Sequence, residues 1–298
     1  MYNEMRKLQY LTETGKDTDD SNLANMFKLA ESREIEYGRD LCEWTSGEIL
    51  DLYRYYSTPY VQTLVKVNND LRNYTVWCIM NSLVADGQNH YDEITTQAMC
   101  GVIDFERLKA LVVTRSQLLI DIKKLYNAGD KYIFLALFEG VPTRDSMIAK
   151  VRVEDLDGNL LTLTNRDEID ISDELVNIIN EACAETEYIA YGIGGKTYQY
   201  EYSDTAFKTI ARERKHIDNI KIQLGTRMRK AAAFLGYENM TAKTLTESGR
   251  IDFIQRYISE HNVTLDQMLH EYRDIHERRF GKLQNTVTYS LTYGRMIV

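Results

Sequence analysis

The chain has 298 residues, 44% apolar and 27% charged, which excludes a disordered or fibrous protein and leaves room for two domains of ordinary size. The net charge of −9 argues at first against a polyphosphate partner. Yet residues 1–205 carry 20 Lys and Arg against 35 Asp and Glu, net −15, while residues 206–298 carry 16 against 10, net +6, so a nucleic-acid partner stays open.

Only two Pro, Pro59 and Pro142, interrupt the chain, which suits long helices. The spacing of Leu23, Met26, Phe27 and Leu29 predicts a helix over 21–38, capped by Ser21 or Asn22. Thr45 or Ser46 starts a second helix through Glu48, Leu50 and Tyr53. Pro59 fits the first turn of a third. That third helix is buried and runs over 60–85 through Val61, Leu64, Val65, Val67, Leu71, Tyr74, Val76, Trp77, Met80 and Leu83. The run DGQNHYDE reads as a loop, and a shorter helix follows near 104–111. The first 112 residues therefore read as a small all-helical domain.

Residues 113–298 differ in kind. Thr114 or Ser116 begins a helix through Leu118, Leu119, Ile122 and Leu125; NAGD breaks it at 127–130; residues 131–139 form an apolar helix. GVPTRD turns into a further short helix. Strands are expected at 151–153, 160–164 and 168–172, with DLDGN as a tight turn. Ser172 caps a helix through Leu175, Ile178 and Ile179, and residues 188–202 read as irregular or strand. From Asp204 onward the pattern is helical, punctuated by Gly225, Gly236 and Gly281. The expected fold class is mainly α with a small β-sheet, in two domains.

Several chemistries find no motif. Cys42, Cys78, Cys100 and Cys183 lie far apart without a CxxC and read as reduced core thiols. The five His show no metal-ligand spacing, so no metal or cofactor is expected. Gly192, Gly194 and Gly195 in YGIGGKTY read as a hairpin or loop, since the full GxxxxGK[ST] pattern of a P-loop is not present. The N-terminus lacks the apolar core of a signal peptide, and no run is long and apolar enough for a membrane span.

The best local stretch is DKYIFLALFEGVPTRDSMIAKVRVEDLDGNLLTL: an apolar helix, a Gly turn, Arg144 on a short helix, then Asp155 and Asp157 before a hairpin. This organisation resembles the tyrosine recombinases, the phage integrase family, from about Leu23 to Gly281. The resemblance implies a helical core-binding domain and a mixed α/β catalytic-like domain that together clamp DNA. It also implies a Tyr that attacks a phosphodiester, with two Arg and a His or Lys stabilising the charge that develops. Here the pattern is incomplete. Met147 stands where a Glu is usual. In GYENMTAKTLTESGRIDFI the H-x-x-R pair becomes Lys243 and Thr246, and a Thr supplies no fixed bidentate cation. The nucleophile position falls in LHEYRDIHERRFGKL, on Tyr272 in one register and on Phe280 in another, with Tyr289 and Tyr293 further along. GRDLCEWTSGEILDLY and VWCIMNSLVADGQNHYDEI resemble the integrase-like master lysogeny repressors of SPbeta-type Bacillus prophages. That likeness implies an operator-binding repressor in the host cytoplasm, associated with the nucleoid and without strand cleavage. Its partners would be double-stranded DNA and a protein regulator or antirepressor. An active recombinase using Arg144, Lys243 and Tyr272 is the alternative.

The basic segment is an independent pointer to DNA. Lys208, Arg212 and Lys215 share one face if the segment is helical, with Arg214 and Lys221 nearby. Arg227, Arg229 and Lys230 form a second basic cluster. With Arg144 and Lys243 these are the expected phosphate contacts, and Arg250, Gln255 and Asn239 are candidates for base readout. The acidic N-terminal domain, 12 basic against 18 acidic over residues 1–120, is expected to turn its acidic face from DNA or toward a protein.

Overall fold

The computed structural model describes residues 1–16, 22–192, 194–210, 220–283 and 285–297. The fold is mainly helical with small antiparallel sheets, in two compact units. One comprises Met1–Lys109 with Val287–Thr292, the other Ala110–Thr286 with Tyr293–Val298.

The first unit contains α1 (Glu4–Glu13), α2 (Asn22–Tyr37), α3 (Ser46–Tyr56), α4 (Val61–Met80) and α5 (Thr96–Cys100); α6 (Phe105–Leu111) begins in it and ends two residues past Lys109. Thr45 caps α3 in a reciprocal capping box with Glu48, so a local signal sets that start. Pro59 lies outside α4, whose cap is the extended residue Tyr60. Helix α1 was not expected from periodicity, because its buried positions are Lys7, Tyr10 and Leu11. Lys7 is wholly buried, its ammonium donating to both Glu34 carboxylate oxygens at 2.6 and 2.5 Å. Burial pushes the Glu34 carboxyl up to about 6, against the pull of Lys7. Asp40 accepts from Asn3, Tyr74 and the Cys42 amide, tying α1 to α4. Around this polar seam pack Phe27, Trp44, Tyr53, Tyr74 and Tyr91.

The second unit is built on α8 (Ala128–Phe138), which follows α7 (Arg115–Ile122) and is buried almost all round. NAGD thus starts this helix rather than preceding it. The α8 amides of Ala128 and Gly129 donate to the Glu185 carboxylate, a cap supplied from elsewhere in the chain. Strands β1 (Leu156–Asp157), β2 (Leu160–Thr162) and β3 (Glu168–Asp170) form an antiparallel meander, with Leu161 opposite Ile169. The expected strand at 151–153 reduces to one bridge, Arg152 to Thr205, because a 3-10 turn at Val153–Asp155 bends the chain away. Then come α9 (Asp173–Ala184), capped by Ser172, and the hairpin β4 (Glu187–Ile189) and β5 (Thr197–Gln199), whose turn contains Gly192 and Gly194 at positive φ. Residues 204–210 are not helical: Tyr200 bridges Ile210, and the Glu201 amide donates to Thr209. Helix α10 (Ile220–Phe234) carries Gly225 inside it, while Gly236 ends it at φ 83°. Helices α11 (Ala242–His261), α12 (Leu265–His270), α13 (Arg273–Phe280) and α14 (Thr286–Ile297) complete the order. No helix among the described residues is long and apolar enough to cross a membrane.

Helices α8 and α11 meet backbone to backbone. A Cβ at Gly249 would lie 1.7 Å from the Phe138 carbonyl oxygen. At Gly140, φ is +92° and a Cβ would lie 2.7 Å from Arg279 Cγ and 2.9 Å from its carbonyl. Gly249→Ala should therefore destabilise the protein by about 3 kcal/mol or more, lowering the melting temperature by at least roughly 6 °C. Gly140→Glu should act in the same direction. Gly225→Ala is the control: its Cβ meets nothing within 4 Å, so a small rise in melting temperature is expected.

His276 is fully buried, and neither ring nitrogen has a hydrogen-bond partner among the described residues. Burial, with Arg250 beside it, holds the imidazole down to about 4; Glu277 opposes this and Arg273 adds to it. The unfolded chain therefore binds this proton more readily than the folded one. The stabilisation is full above the ordinary His value near pH 6.5 and is lost as pH falls toward 4, by up to about 3 kcal/mol. Urea unfolding between pH 7 and 4 should show this loss, and His276→Leu should flatten it.

Candidate functional site

A cavity of about 230 Å³ opens in the second unit, between the turn after α8, the β2–β3 hairpin, the start of α11 and the end of α13. Glu139, the residue that ends α8 and precedes the lining residue Gly140, ties together the elements around it. Its carboxylate accepts from Ser172, the cap of α9, through both amide (2.9 Å) and hydroxyl (2.5 Å), and from Arg115 at 2.8 Å. Its carbonyl accepts from Arg279 Nε at 2.7 Å. Gly140 then reverses the chain, with the Val141 amide donating to Ala136, and this turn delivers Arg144 to the rim.

The walls bear Arg144, Thr246, Arg278, Arg279 and Phe280, with Asp167 and Glu277. Arg144 Nη2 lies 3.1 Å from Asp167 Oδ2, in a pair that is more than half exposed on both sides. Arg278 is exposed and makes no ion pair among the described residues. Arg279 is largely shielded; burial, with Arg256 and Arg115 nearby, holds its guanidinium below the ordinary value, while Glu139 opposes the shift. Glu277 is tied up by Arg273 Nε and the Leu283 amide, each at 2.7 Å. The lining thus holds three Arg against two carboxylates, both already engaged, and suits an anion with several oxygen acceptors. Among the described residues no Tyr, His or Lys lines it.

The two sequence registers place their residues differently with respect to the cavity. Phe280 lines it together with Arg144 and Thr246, the positions matched to the first and second Arg of the recombinase pattern. Tyr272 does not: it caps the start of α13 and packs against Tyr257, ring centroids 5.9 Å apart. Lys243 is exposed in the first turn of α11, outside the lining.

Three expected DNA-facing cations turn inward. Lys208 is buried and donates to the carbonyls of Cys183 and Glu185, at 2.5 and 2.6 Å, closing the end of α9. It lies in the non-helical stretch, so the shared helix face does not form at that residue. Arg227 is buried against Asp130, Nη2 to Oδ1 2.7 Å, with its guanidinium over Tyr188 and Phe207. Arg250 is buried and donates to the carbonyls of Phe280 (2.5 Å) and Gly281 (3.0 Å), pinning the end of α13. Burying an unpaired cation is costly, and each of these has found acceptors instead. Gln255 likewise donates inward, to the Met296 carbonyl at 2.7 Å. Arg229, Lys230 and Asn239 are exposed. Arg212, Arg214 and Lys215, and the side chain of Lys221, lie outside the described residues.

Arg278, Arg279 and Asp167 were not singled out from the sequence. The run RRFG carried a signal: two cations directly before the Phe that one register places at the nucleophile position. Asp167 had none, since its meaning depends on a hairpin folding back over Arg144.

Two family models match the chain in sequence order. "MrpR, N-terminal core-binding domain" covers residues 1–80 and "MrpR, C-terminal catalytic domain" covers residues 112–292. The SPbeta prophage-derived uncharacterized protein YopR of Bacillus subtilis (strain 168) is 28% identical over 200 residues, a match that takes in 63% of this chain and 60% of that protein. The matched region is thus less than two thirds of that relative's length. With the second model spanning more than half of its residues, and the first preceding it over the helical unit, the chain belongs to the integrase-like MrpR family.

Proposed function

We propose that this protein is a sequence-specific DNA-binding repressor that maintains prophage lysogeny, and that it holds a backbone phosphate in the Arg144 cavity without cutting the strand. One observation carries the reading: Arg144, Thr246 and Phe280 meet in one cavity. The recombinase pattern needs a cation at the Thr246 position and a hydroxyl nucleophile at the Phe280 position. Thr246 offers no charge, and the Phe280 ring has no oxygen to attack phosphorus. Arg144 and the exposed Arg278 retain what phosphate binding needs, two cations with several N–H donors each. On α10, Arg229 and Lys230 are the exposed cations best placed in sequence to extend the grip along the backbone. The acidic first unit is the natural surface for a protein regulator, consistent with a repressor that is lifted by a partner.

Two experiments test this. A gel shift against DNA from the protein's own genomic neighbourhood, titrated with salt, should reveal a steep salt dependence. Arg229→Glu with Lys230→Glu should weaken binding and reduce the log–log slope by roughly 0.9 for each phosphate that is no longer neutralised. Unchanged affinity and slope would remove α10 from the interface. Incubation with a nicked suicide form of the bound site should yield no covalent adduct; an adduct that disappears in Tyr272→Phe would establish the active recombinase instead.

A further inference from the structure

The rim of the cavity is closed by a contact within the chain. Arg144 reaches across to Asp167, 23 residues later, and this is the ion pair that Arg144 makes among the described residues. Both ends sit on unusual backbone. Asp145 and Ser146, directly after Arg144, are two successive L-residues in the left-handed region, at φ 51° and 57°. Arg166, directly before Asp167, is left-handed as well, at φ 67°. Such residues are costly to hold in place and concentrate where a chain is shaped for binding or switching. The Asp167 side chain is aimed by a tight polar turn: Asn165 Nδ2 donates to Asp167 Oδ2 at 2.5 Å, and the Asp167 amide donates back to Asn165 Oδ1 at 3.2 Å.

A carboxylate presents to a guanidinium the same kind of oxygen edge that a phosphate does. We infer that Asp167 is an internal stand-in for the DNA phosphate, an acidic latch that occupies Arg144 in the free protein and must yield when a duplex backbone enters. The inference rests on the phosphate-binding reading of the cavity. Because the pair is exposed on both sides, it is weak enough to be exchanged. Because Asp167 keeps its negative charge after release, it continues to repel a phosphate that is poorly seated. Asp167 thereby sets discrimination: a well-fitted operator displaces it, and loosely held DNA does not.

The test uses the full-length protein, inorganic pyrophosphate as one probe and a 30-base-pair duplex of arbitrary sequence as the other. Asp167→Asn preserves the turn with Asn165 and should melt like the parent; Asp167→Ser serves as a second variant. Removing the latch should tighten pyrophosphate binding roughly five- to tenfold, because both the competitor and the like charge are gone. The gain should vanish when Arg144→Gln is combined with Asp167→Asn and compared with Arg144→Gln alone. Equal affinity of Asp167→Asn and the parent would overturn the latch. A gain that persists without Arg144 would overturn it too, reducing the effect to net charge. The duplex arm separates the two levels: tighter retention of arbitrary DNA by Asp167→Asn, with a salt dependence at least as steep as the parent's, supports the discriminating role. If neither protein retains duplex at low salt, the DNA reading fails, while the pyrophosphate comparison still decides the latch.

Discussion

The second unit depends on where the Glu139 carboxylate ends up. It sits at the exit of the most buried helix, nearly free of solvent, and receives the cap of α9, the guanidinium of Arg115 and, alongside its own carbonyl, Arg279 from α13. Three elements far apart in sequence are thereby referred to one point. The cavity is what remains between them: α8 supplies the turn that carries Arg144, and α13 supplies Arg278 and Phe280. A buried carboxylate with this many donors holds its geometry because losing any one donor leaves a charge with less compensation.

Local chemistry was legible in the sequence. Ser172 caps its helix where its spacing placed it, and of the candidate pairs Thr45 or Ser46 and Thr114 or Ser116 the Thr is the cap each time, because a cap is satisfied within three residues. Long apolar runs marked α4 and α8 for the same reason. What was not legible depends on partners far along the chain. Lys7 hid α1 by placing a charge on its buried stripe, since its partner Glu34 is 27 residues away. Arg227 read as a surface cation because Asp130 lies 97 residues earlier. Lys208 and Arg250 find backbone carbonyls that no pattern of residue types announces. Charge in a sequence reports sign, and burial is decided by pairing.

The same argument recasts the charge imbalance. Part of the acidic excess lies inside: Glu34, Asp40, Asp121, Asp130 and Glu139 are all buried, each bonded to a donor. Part of the basic surplus lies inside as well, at Lys208, Arg227 and Arg250. The cations left at the rim of the cavity and on the outer side of α10 are fewer than the count suggests, and better placed.

The close approach of Gly249 to Phe138 has a mechanical meaning. Two helices in backbone contact share no cushion of side chains to compress, so α11 cannot slide without carrying α8. Thr246 and Arg144 therefore ride on one stiff frame. On such a frame new behaviour comes from exchanging what is mounted at fixed points, as a tool changes by its bit and not by its handle. A lineage that holds this joint can leave one chemistry and take up another by a few substitutions, with the architecture unmoved.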